Sequence, residues 1–387
     1  MTTVCGVTVP APAGVTNESK MPTAVRALLV GGLIYLFLVG VSALEQGIKV
    51  MGQDTQERLF ENVSNPVAGL CIGILGTVLV QSSSASTSVI VGLVAAGAID
   101  IDMAVPMIMG ANIGTTVTNT LVSVGSARRS DEFRRAFATA TVHDFFNVFA
   151  VAILLPIELL TGVLSNAAGW LSEQLVGASG SEWKSPIKEW VKTPVGWIQD
   201  LESWLGLSGT ALGVVMVATG LVLIIVSLGL ITKNMRKLIA DRVERSMNNV
   251  LAKGSGSVAM LLGMVVTMLV QSSSITTSIL IPMAAAGVLS IRNAYPVTLG
   301  ANVGTTITAL LAALASSSPD ALTVALVHTL FNLSGILILY VPRFVRGAPI
   351  YCAEWLARIA ATRPVWAVAY VMGAFIVLPL VVFGIAR

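Results

Sequence analysis

Two short polar runs recur in this chain and carry the residue types that can do chemistry. Gln81, Ser82, Ser83 and Ser84 interrupt one apolar stretch, and Gln271, Ser272, Ser273 and Ser274 interrupt another. Serine hydroxyls donate to anionic oxygens or accept from their own backbone, and glutamine amides do both. A second pair of motifs, Gly110 to Thr116 (GANIGTT) and Gly300 to Thr306 (GANVGTT), sets glycines, an asparagine and two threonines inside apolar runs. This composition is expected where a membrane helix unwinds and lends oxygens to an ion, so Asn112, Thr115, Thr116, Asn302, Thr305 and Thr306 are candidate cation ligands. The plain alternative is helix packing. Ser, Thr, Gly and Ala are ordinary contact residues between membrane helices, and for Gly110 to Thr116 taken alone a packing face is as good a reading as a ligand site.

Duplication raises the weight of the chemical reading. Laying residues 81–120 on 271–310 at a constant offset of 190 leaves 19 of 40 positions identical without a gap. Fixed-offset similarity of this kind is the mark of an internal repeat. Upstream, Gly73, Thr77, Leu79 and Val80 match Gly263, Thr267, Leu269 and Val270. Downstream, after a five-residue shortening, His143 to Asn147 (HDFFN) matches His328 to Asn332 (HTLFN). The paired histidines sit beside aromatics, where a satisfied structural histidine is the better reading than a proton relay. Asp144 has Thr329 at its place in the second copy, and Glu158 lies near the end of its apolar run; a carboxylate in a membrane helix is a functional candidate by default.

The elements that must position these residues are helices. The chain has 387 residues, 55% hydrophobic and 11% charged, with mean hydropathy +0.84. Soluble chains carry about 25% charged residues. This is the composition of an integral membrane protein with room for roughly seven to ten crossings, which excludes a large soluble catalytic module. The net charge of +3 and its dispersal in short loops argue against a nucleic-acid surface. Cys5, Cys71 and Cys352 have neither disulfide nor metal spacing. The first twenty residues lack a basic start followed by an apolar core, so a tail over 1–25 is expected in place of a cleaved signal.

Apolar runs at 26–48, 104–123, 134–160, 209–232, 294–315, 321–342 and 364–385 are long enough to span. The stretches 66–99 and 256–289 are broken near the middle by the Gln-Ser-Ser-Ser runs. The arm 66–80 reaches about 22 Å as a helix against a hydrocarbon core of roughly 30 Å. Each stretch reads as a re-entrant hairpin whose tip must be buried in protein or line a wet cavity. Basic clusters at Arg128, Arg129, Arg134 and Arg135, at Lys233, Arg236, Lys237, Arg242, Arg245 and Lys253, and at Arg343 and Arg346 fall on one side if the amino terminus is cytoplasmic and the carboxyl terminus external. An odd number of spans between the copies inverts the second.

The expected architecture is an all-α integral membrane protein with two inverted-topology repeats, each holding a re-entrant hairpin with Gln-Ser-Ser-Ser at its tip and a broken transmembrane helix. The divisions are a first repeat at 26–160, an external interfacial linker at 161–208 carrying Trp170, Trp183, Trp190, Trp197 and Trp204, a second repeat at 209–345, and an interfacial helix and last span at 346–387. Inverted repeats with interrupted helices bind substrate at the midplane in secondary transporters. No Lys or Arg lies in or beside the four motifs, so an anion held there needs helix dipoles, hydroxyls and a co-bound cation; sodium coupling follows as the expectation.

These residues resemble the type II sodium-dependent phosphate cotransporters, bacterial members included. The resemblance rests on both Gln-Ser-Ser-Ser runs, on Asn65 to Leu70 (NPVAGL), Pro106 to Asn119 (PMIMGANIGTTVTN), Phe133 to Asn147 (FRRAFATATVHDFFN), Leu299 to Thr308 (LGANVGTTIT) and Phe331 to Leu337 (FNLSGIL). It implies sodium-driven uptake of inorganic phosphate by alternating access in a bacterial cytoplasmic membrane, with the two tips facing one another around substrate and sodium. Carried over, Ser82 to Ser84 and Ser272 to Ser274 are the phosphate candidates. Gln81, Gln271 and the Asn and Thr residues of the GANxGTT motifs go to sodium, shared with phosphate. The connection 161–208 is shorter than the animal members' external loop and lacks their cysteines, and the expectation is a chain without their carboxyl-terminal extension. Competing readings are a sodium-coupled carrier of sulfate or a dicarboxylate, an intramembrane serine hydrolase pairing a tip serine with His143 or His328, and a passive anion channel. The duplication of a neutral set argues against the hydrolase, which needs one asymmetric nucleophile and base.

Overall fold

A computed structural model of the chain describes residues 21–52, 55, 65–125, 130–176, 186–253, 256–316, 318–363 and 365–386, with 176, 186 and 239–253 as backbone only. Most of the expected tail, Arg128, Arg129, Trp183 and the side chains of Arg242, Arg245 and Lys253 lie outside the described residues. In chain order the helices are α1 (Thr23–Met51), α2 (Pro66–Val80), α3 (Ser83–Ala95), α4 (Ile101–Gly114), α5 (Val117–Val124), α6 (Ser130–Thr161), α7 (Val163–Val176), α8 (Pro186–Trp204) and α9 (Gly209–Lys253). There follow α10 (Gly256–Val270), α11 (Ser273–Ser278), α12 (Leu280–Ala285), α13 (Ile291–Leu314), α14 (Pro319–Leu339), α15 (Ala348–Thr362), α16 (Val365–Met372) and α17 (Leu378–Ala386), the last two joined by a π turn at Gly373–Val377. No strand occurs among the described residues, as the all-α expectation requires.

Among the described residues, six helical segments are long and apolar enough to cross a membrane: Thr23–Met51, Ser130–Thr161, Gly209–Leu238, Ile291–Leu314, Pro319–Leu339 and Val365–Ala386. The seventh expected run, 104–123, is divided between α4 and α5 by a turn at Thr115 and Thr116, where Thr116 N reaches back only to Ile113 O, at 3.4 Å. The matching motif in the second copy does not unwind. The helix α13 runs unbroken through Gly300 to Thr306, against the expectation of a broken helix in each copy. The glycines of the motif are used for close approach in both copies. A Cβ on Gly110 would fall 2.1 Å from Leu70 O, and one on Gly300 would fall 1.8 Å from Met260 O. Gly73 and Gly263 answer from the other side, 2.0 Å from Met107 O and 2.1 Å from Val297 O. Each hairpin's first arm is thus seated backbone to backbone on its GANxGTT helix, the packing that small residues allow in membranes.

The hairpin arms begin and end for local reasons. Asn65 Oδ1 accepts from Val67 N at 2.8 Å and Pro66 fills the first turn of α2, where its missing N–H costs nothing. The arms α2 and α10, fifteen residues each, stop at Gln81 (φ 55°) and Gln271 (φ 58°), the positive-φ non-glycine residues among those described. Ser82 and Ser272 then cap the outgoing arms by accepting from Ala85 N (3.2 Å) and Ile275 N (3.4 Å). In the first copy α3 runs on to Ala95; in the second the outgoing arm is split into α11 and α12. Pro282 stands where the first copy has Gly92, and its ring presses on the carbonyl four residues back while offering no N–H.

The linker forms α7 and α8, with Trp170, Trp190, Trp197 and Trp204 exposed. Glu158 turns out to be a cap. Its carboxylate accepts from Leu164 N (2.6 Å), Ser165 N (3.0 Å) and the Ser165 hydroxyl, at the start of α7 beyond a Gly162 turn of φ +62°. The helices α1 and α9 run antiparallel, with Gly40 against Gly220 and Gly47 against Gly213. Arg135 donates to Ala284 O and Ala285 O (3.2 and 2.6 Å at closest), a cation on the carboxyl end of α12 that ties the second hairpin to α6. The π turn near the end of the chain has its own cause. Pro379 cannot donate to Phe375 O, and the ladder widens so that Leu378 N reaches Gly373 O.

Candidate binding site between the hairpin tips

The two Gln-Ser-Ser-Ser runs, 190 residues apart in sequence, line one cavity of about 240 Å³. All six serines singled out above reach it, together with Gln81 and Gln271. The remaining lining comes from Val80, Ala85 and one face of α9: Ile225, Leu228, Gly229 and Thr232. No charged side chain is among them. A single water takes about 30 Å³ of liquid, so there is room for a small oxyanion with part of its hydration.

The tips are built alike. Gln81 Nε2 donates to Val78 O and Gln271 Nε2 to Met268 O, each at 2.6 Å, which folds both amides back over the end of their own arm. Their Oε1 atoms accept from Thr118 (3.1 Å) and Thr308 (2.7 Å), residues that are again 190 apart. With Ala85 N taken by the Ser82 hydroxyl and Ser86 N by Ser82 O, the amides of Ser83 and Ser84 have no partner inside α3. They face the end of the helix where the macrodipole is positive, beside three hydroxyls, and the same order recurs at Ser272 to Ser274. The tips touch: Ser84 Oγ donates to Gln271 O at 3.4 Å, and Thr308 Oγ1 lies 3.4 Å from Ser84 Oγ. Exposure differs between them, since Gln81 is exposed and Gln271 is buried.

The GANxGTT residues do not line this cavity. Thr115, Thr116, Thr305 and Thr306 donate to carbonyls of their own helices at 2.8–3.0 Å. Asn112 and Asn302 enter a buried polar network between the copies. Asn302 Oδ1 meets His143 Nε2 at 2.6 Å and its amide donates to Asn147 Oδ1 at 2.7 Å. Asn147 in turn donates to Asn112 O at 2.7 Å, while His328 Nε2 and Asn332 Nδ2 approach Asn112 Oδ1 at 3.4 and 3.5 Å. Each histidine therefore reaches the other copy's asparagine. Neither pairs with a tip serine, so the serine hydrolase loses its base.

One buried carboxylate lies close by. Asp144 is fully buried; its Oδ2 accepts from Tyr370 Oη at 2.9 Å and Thr120 Oγ1 at 3.5 Å, and its Oδ1 has no partner among the described residues. Asn119, one residue before Thr120, accepts from Thr277 Oγ1 (2.9 Å) and Ser278 Oγ (3.4 Å), which links α5 to the second hairpin. Sequence reasoning passed over Asn119, Tyr370 and the α9 face. Ile225 and Leu228 are indistinguishable by type from lipid-facing residues. The repeated pairs Thr118 with Thr308 and Asn147 with Asn332 did carry a signal, because each recurs at the offset of its motif.

The chain matches the family described as Na+/Pi-cotransporter over residues 36–169 and 223–347. Sodium-dependent phosphate transport protein 2A of Rattus norvegicus is 36% identical to it, over 92% of this chain and 67% of that protein. The 2A protein of Ovis aries is likewise 36% identical, over 94% and 68%, and the 2B protein of Homo sapiens is 33% identical, over 93% and 65%. No solved structure matches the chain. The two matched segments take in both hairpins, both GANxGTT helices and the histidine network between them. The chain is a multi-pass membrane protein that belongs to the Na+/Pi-cotransporter family, a family of transporters and not of enzymes.

Proposed function

We propose that the protein carries inorganic phosphate into the cell coupled to sodium, by alternating access around the cavity between the hairpin tips. The observation that carries this reading is the meeting of both Gln-Ser-Ser-Ser runs on one cavity that no charged side chain lines. An oxyanion there is met by helix amino ends and by hydroxyls from Ser82 to Ser84 and Ser272 to Ser274, which are the proposed phosphate ligands. What it lacks is compensation by a full charge. A cation travelling with it supplies that charge, and membership in a family of sodium cotransporters names sodium.

Gln81 and Gln271 offer their carbonyl oxygens next to the tips and remain proposed sodium ligands. Asn112, Thr115, Thr116, Asn302, Thr305 and Thr306 serve sodium, in this reading, only where helix or network bonds are given up during the cycle. A stronger cation candidate is Asp144, whose carboxylate is buried without a counter-charge; hard cations take oxygen ligands, and Thr120 and Tyr370 stand beside it.

Two inverted repeats, 26–160 and 209–345 joined by the external linker 161–208, are the proposed frame. The antiparallel run of α1 against α9, which occupy the same place in the two copies, supports it. The proposed setting is a bacterial cytoplasmic membrane with the amino terminus inside and the carboxyl terminus outside. Arg134 and Arg135 line a cavity with Glu354, and Arg343 and Arg346 line another with the same Glu354, so two of the basic clusters share one end of the molecule. The test is uptake of labelled phosphate into proteoliposomes under an inward sodium gradient, with potassium, sulfate and succinate controls. Sodium-dependent accumulation that unlabelled phosphate competes with, and that sulfate and succinate do not, is expected. Uptake equal in potassium would overturn the coupling, and competition by sulfate or succinate alone would move the substrate to the runner-up class.

A further inference from the structure

The cavity that Arg343 and Arg346 line, of about 440 Å³, opens at the end of the molecule where α14 gives way to α15, between the starts of α10, α13 and α15. Its lining includes Arg292, Arg343 and Arg346, the phenols Tyr295, Tyr340 and Tyr351, and a single carboxylate, Glu354. Arg346 is held in place: Nε donates to Tyr340 O at 2.6 Å, one terminal nitrogen donates to Val341 O at 3.3 Å, and the guanidinium stacks 4.4 Å over the Tyr340 ring. That leaves its other terminal N–H edge for a ligand. Arg292 and Arg343 are exposed and form no ion pair among the described residues. Tyr295 is 1% exposed, its ring fixed edge-on against Phe146 and Tyr340, and its hydroxyl has no hydrogen-bond partner among the described residues.

Three guanidinium groups against one carboxylate, one of them immobilised, with an unpartnered buried phenol beside them, form a receptor for a doubly contacted oxyanion. We propose that this cavity binds a phosphate group at a place separate from the hairpin tips. Its lining shares no residue with the tip cavity, so the inference stands whether or not the tip reading does. Two sources carry this chemistry: the headgroup of an anionic phospholipid and free inorganic phosphate. The rim bears on the first, since Phe344 is 91% exposed next to Arg343 and Tyr351 and Trp355 are exposed on α15, the pairing of basic and aromatic side chains that suits a membrane surface.

The experiment uses the full-length protein, delipidated in detergent, and two probes. Short-chain phosphatidylglycerol is compared with short-chain phosphatidylcholine by native mass spectrometry, and labelled inorganic phosphate is followed by equilibrium dialysis in potassium without sodium. At least one anionic probe is expected to bind, and to bind about tenfold more weakly in the pair Arg292→Gln with Arg343→Gln. Tyr295→Phe, which keeps the ring packing, is expected to weaken the same probe, and both proteins should keep the melting temperature of the unliganded wild type. Binding of phosphatidylglycerol alone names the headgroup, and binding of phosphate alone names the free ion. If neither probe responds to either set of substitutions, or if Ser83→Ala with Ser273→Ala removes the binding instead, the proposal is overturned.

Discussion

At the scale of single residues, the proposed phosphate contact of the tip serines would run through donors that the backbone has already oriented. Ser82 and Ser272 accept the capping bonds and keep an O–H to donate, Ser84 donates across to Gln271 O at 3.4 Å, and Ser83, Ser273 and Ser274 stand near a helix amino end. A hydrogen bond to a charged group is worth about 1.5–3 kcal/mol, so Ser83→Ala or Ser273→Ala is expected to raise the phosphate concentration for half-maximal uptake roughly tenfold or more. Initial-rate uptake across a phosphate series checks this, and an unchanged half-saturation would remove those hydroxyls from the site. Asp144 is the proposed cation ligand. Asp144→Asn keeps the shape and the bonds from Tyr370 and Thr120 but deletes the charge; it is expected to shift the sodium activation curve to higher concentration or to lower its steepness. The same curve as wild type would return Asp144 to a structural role. The two glutamines show how a residue is chosen by backbone: both sit at φ near +55°, where a β-branched side chain is strained.

At the scale of elements, the hairpins are held by glycine contact. Gly300→Ala would drive a methyl against Met260 O, whereas Gly76→Ala on α2 meets nothing within 4 Å. Overpacking costs typically 1–3 kcal/mol, roughly, so Gly300→Ala is expected to lower the melting temperature in detergent by several degrees while Gly76→Ala leaves it in place. Equal melting temperatures would contradict the seating of α10 on α13. The sequence did announce the helix breaks at Gln81 and Gln271, because QSSS interrupts an apolar run and recurs at a fixed offset, a periodicity that needs no tertiary information. For GANxGTT, composition supports a packing face and an ion ligand set equally; its glycines make close helix contacts and α13 is unbroken, while the ligand role of its Asn and Thr residues remains a proposal. Small residues look alike whether they make room for an ion or for a backbone. Only the neighbour decides, and the neighbour is forty residues away on another arm. Likewise the break after Ser278 was legible in Pro282, while the contribution of α9 to the cavity was not, because Ile225 and Leu228 have the types of any lipid-facing turn.

At the scale of the whole molecule, two nearly equivalent tips are caught in unequal exposure, with Gln81 open and Gln271 covered. The proposed rocking of the two repeats would exchange these surroundings. In a background with Cys5, Cys71 and Cys352 replaced, Gln81→Cys is expected to react faster than Gln271→Cys with a hydrophilic thiol reagent, and removing sodium should move the two rates in opposite senses. Parallel changes would contradict an exchange between the tips. The central claim is narrower still: one phosphate is held by both tips at once. It is tested most directly by equilibrium binding of labelled phosphate, in sodium, to purified wild type and to Ser83→Ala and Ser273→Ala made separately. One phosphate per chain, weakened by either single substitution, is the expected result; two independent phosphates, or one that survives either substitution unchanged, would contradict it.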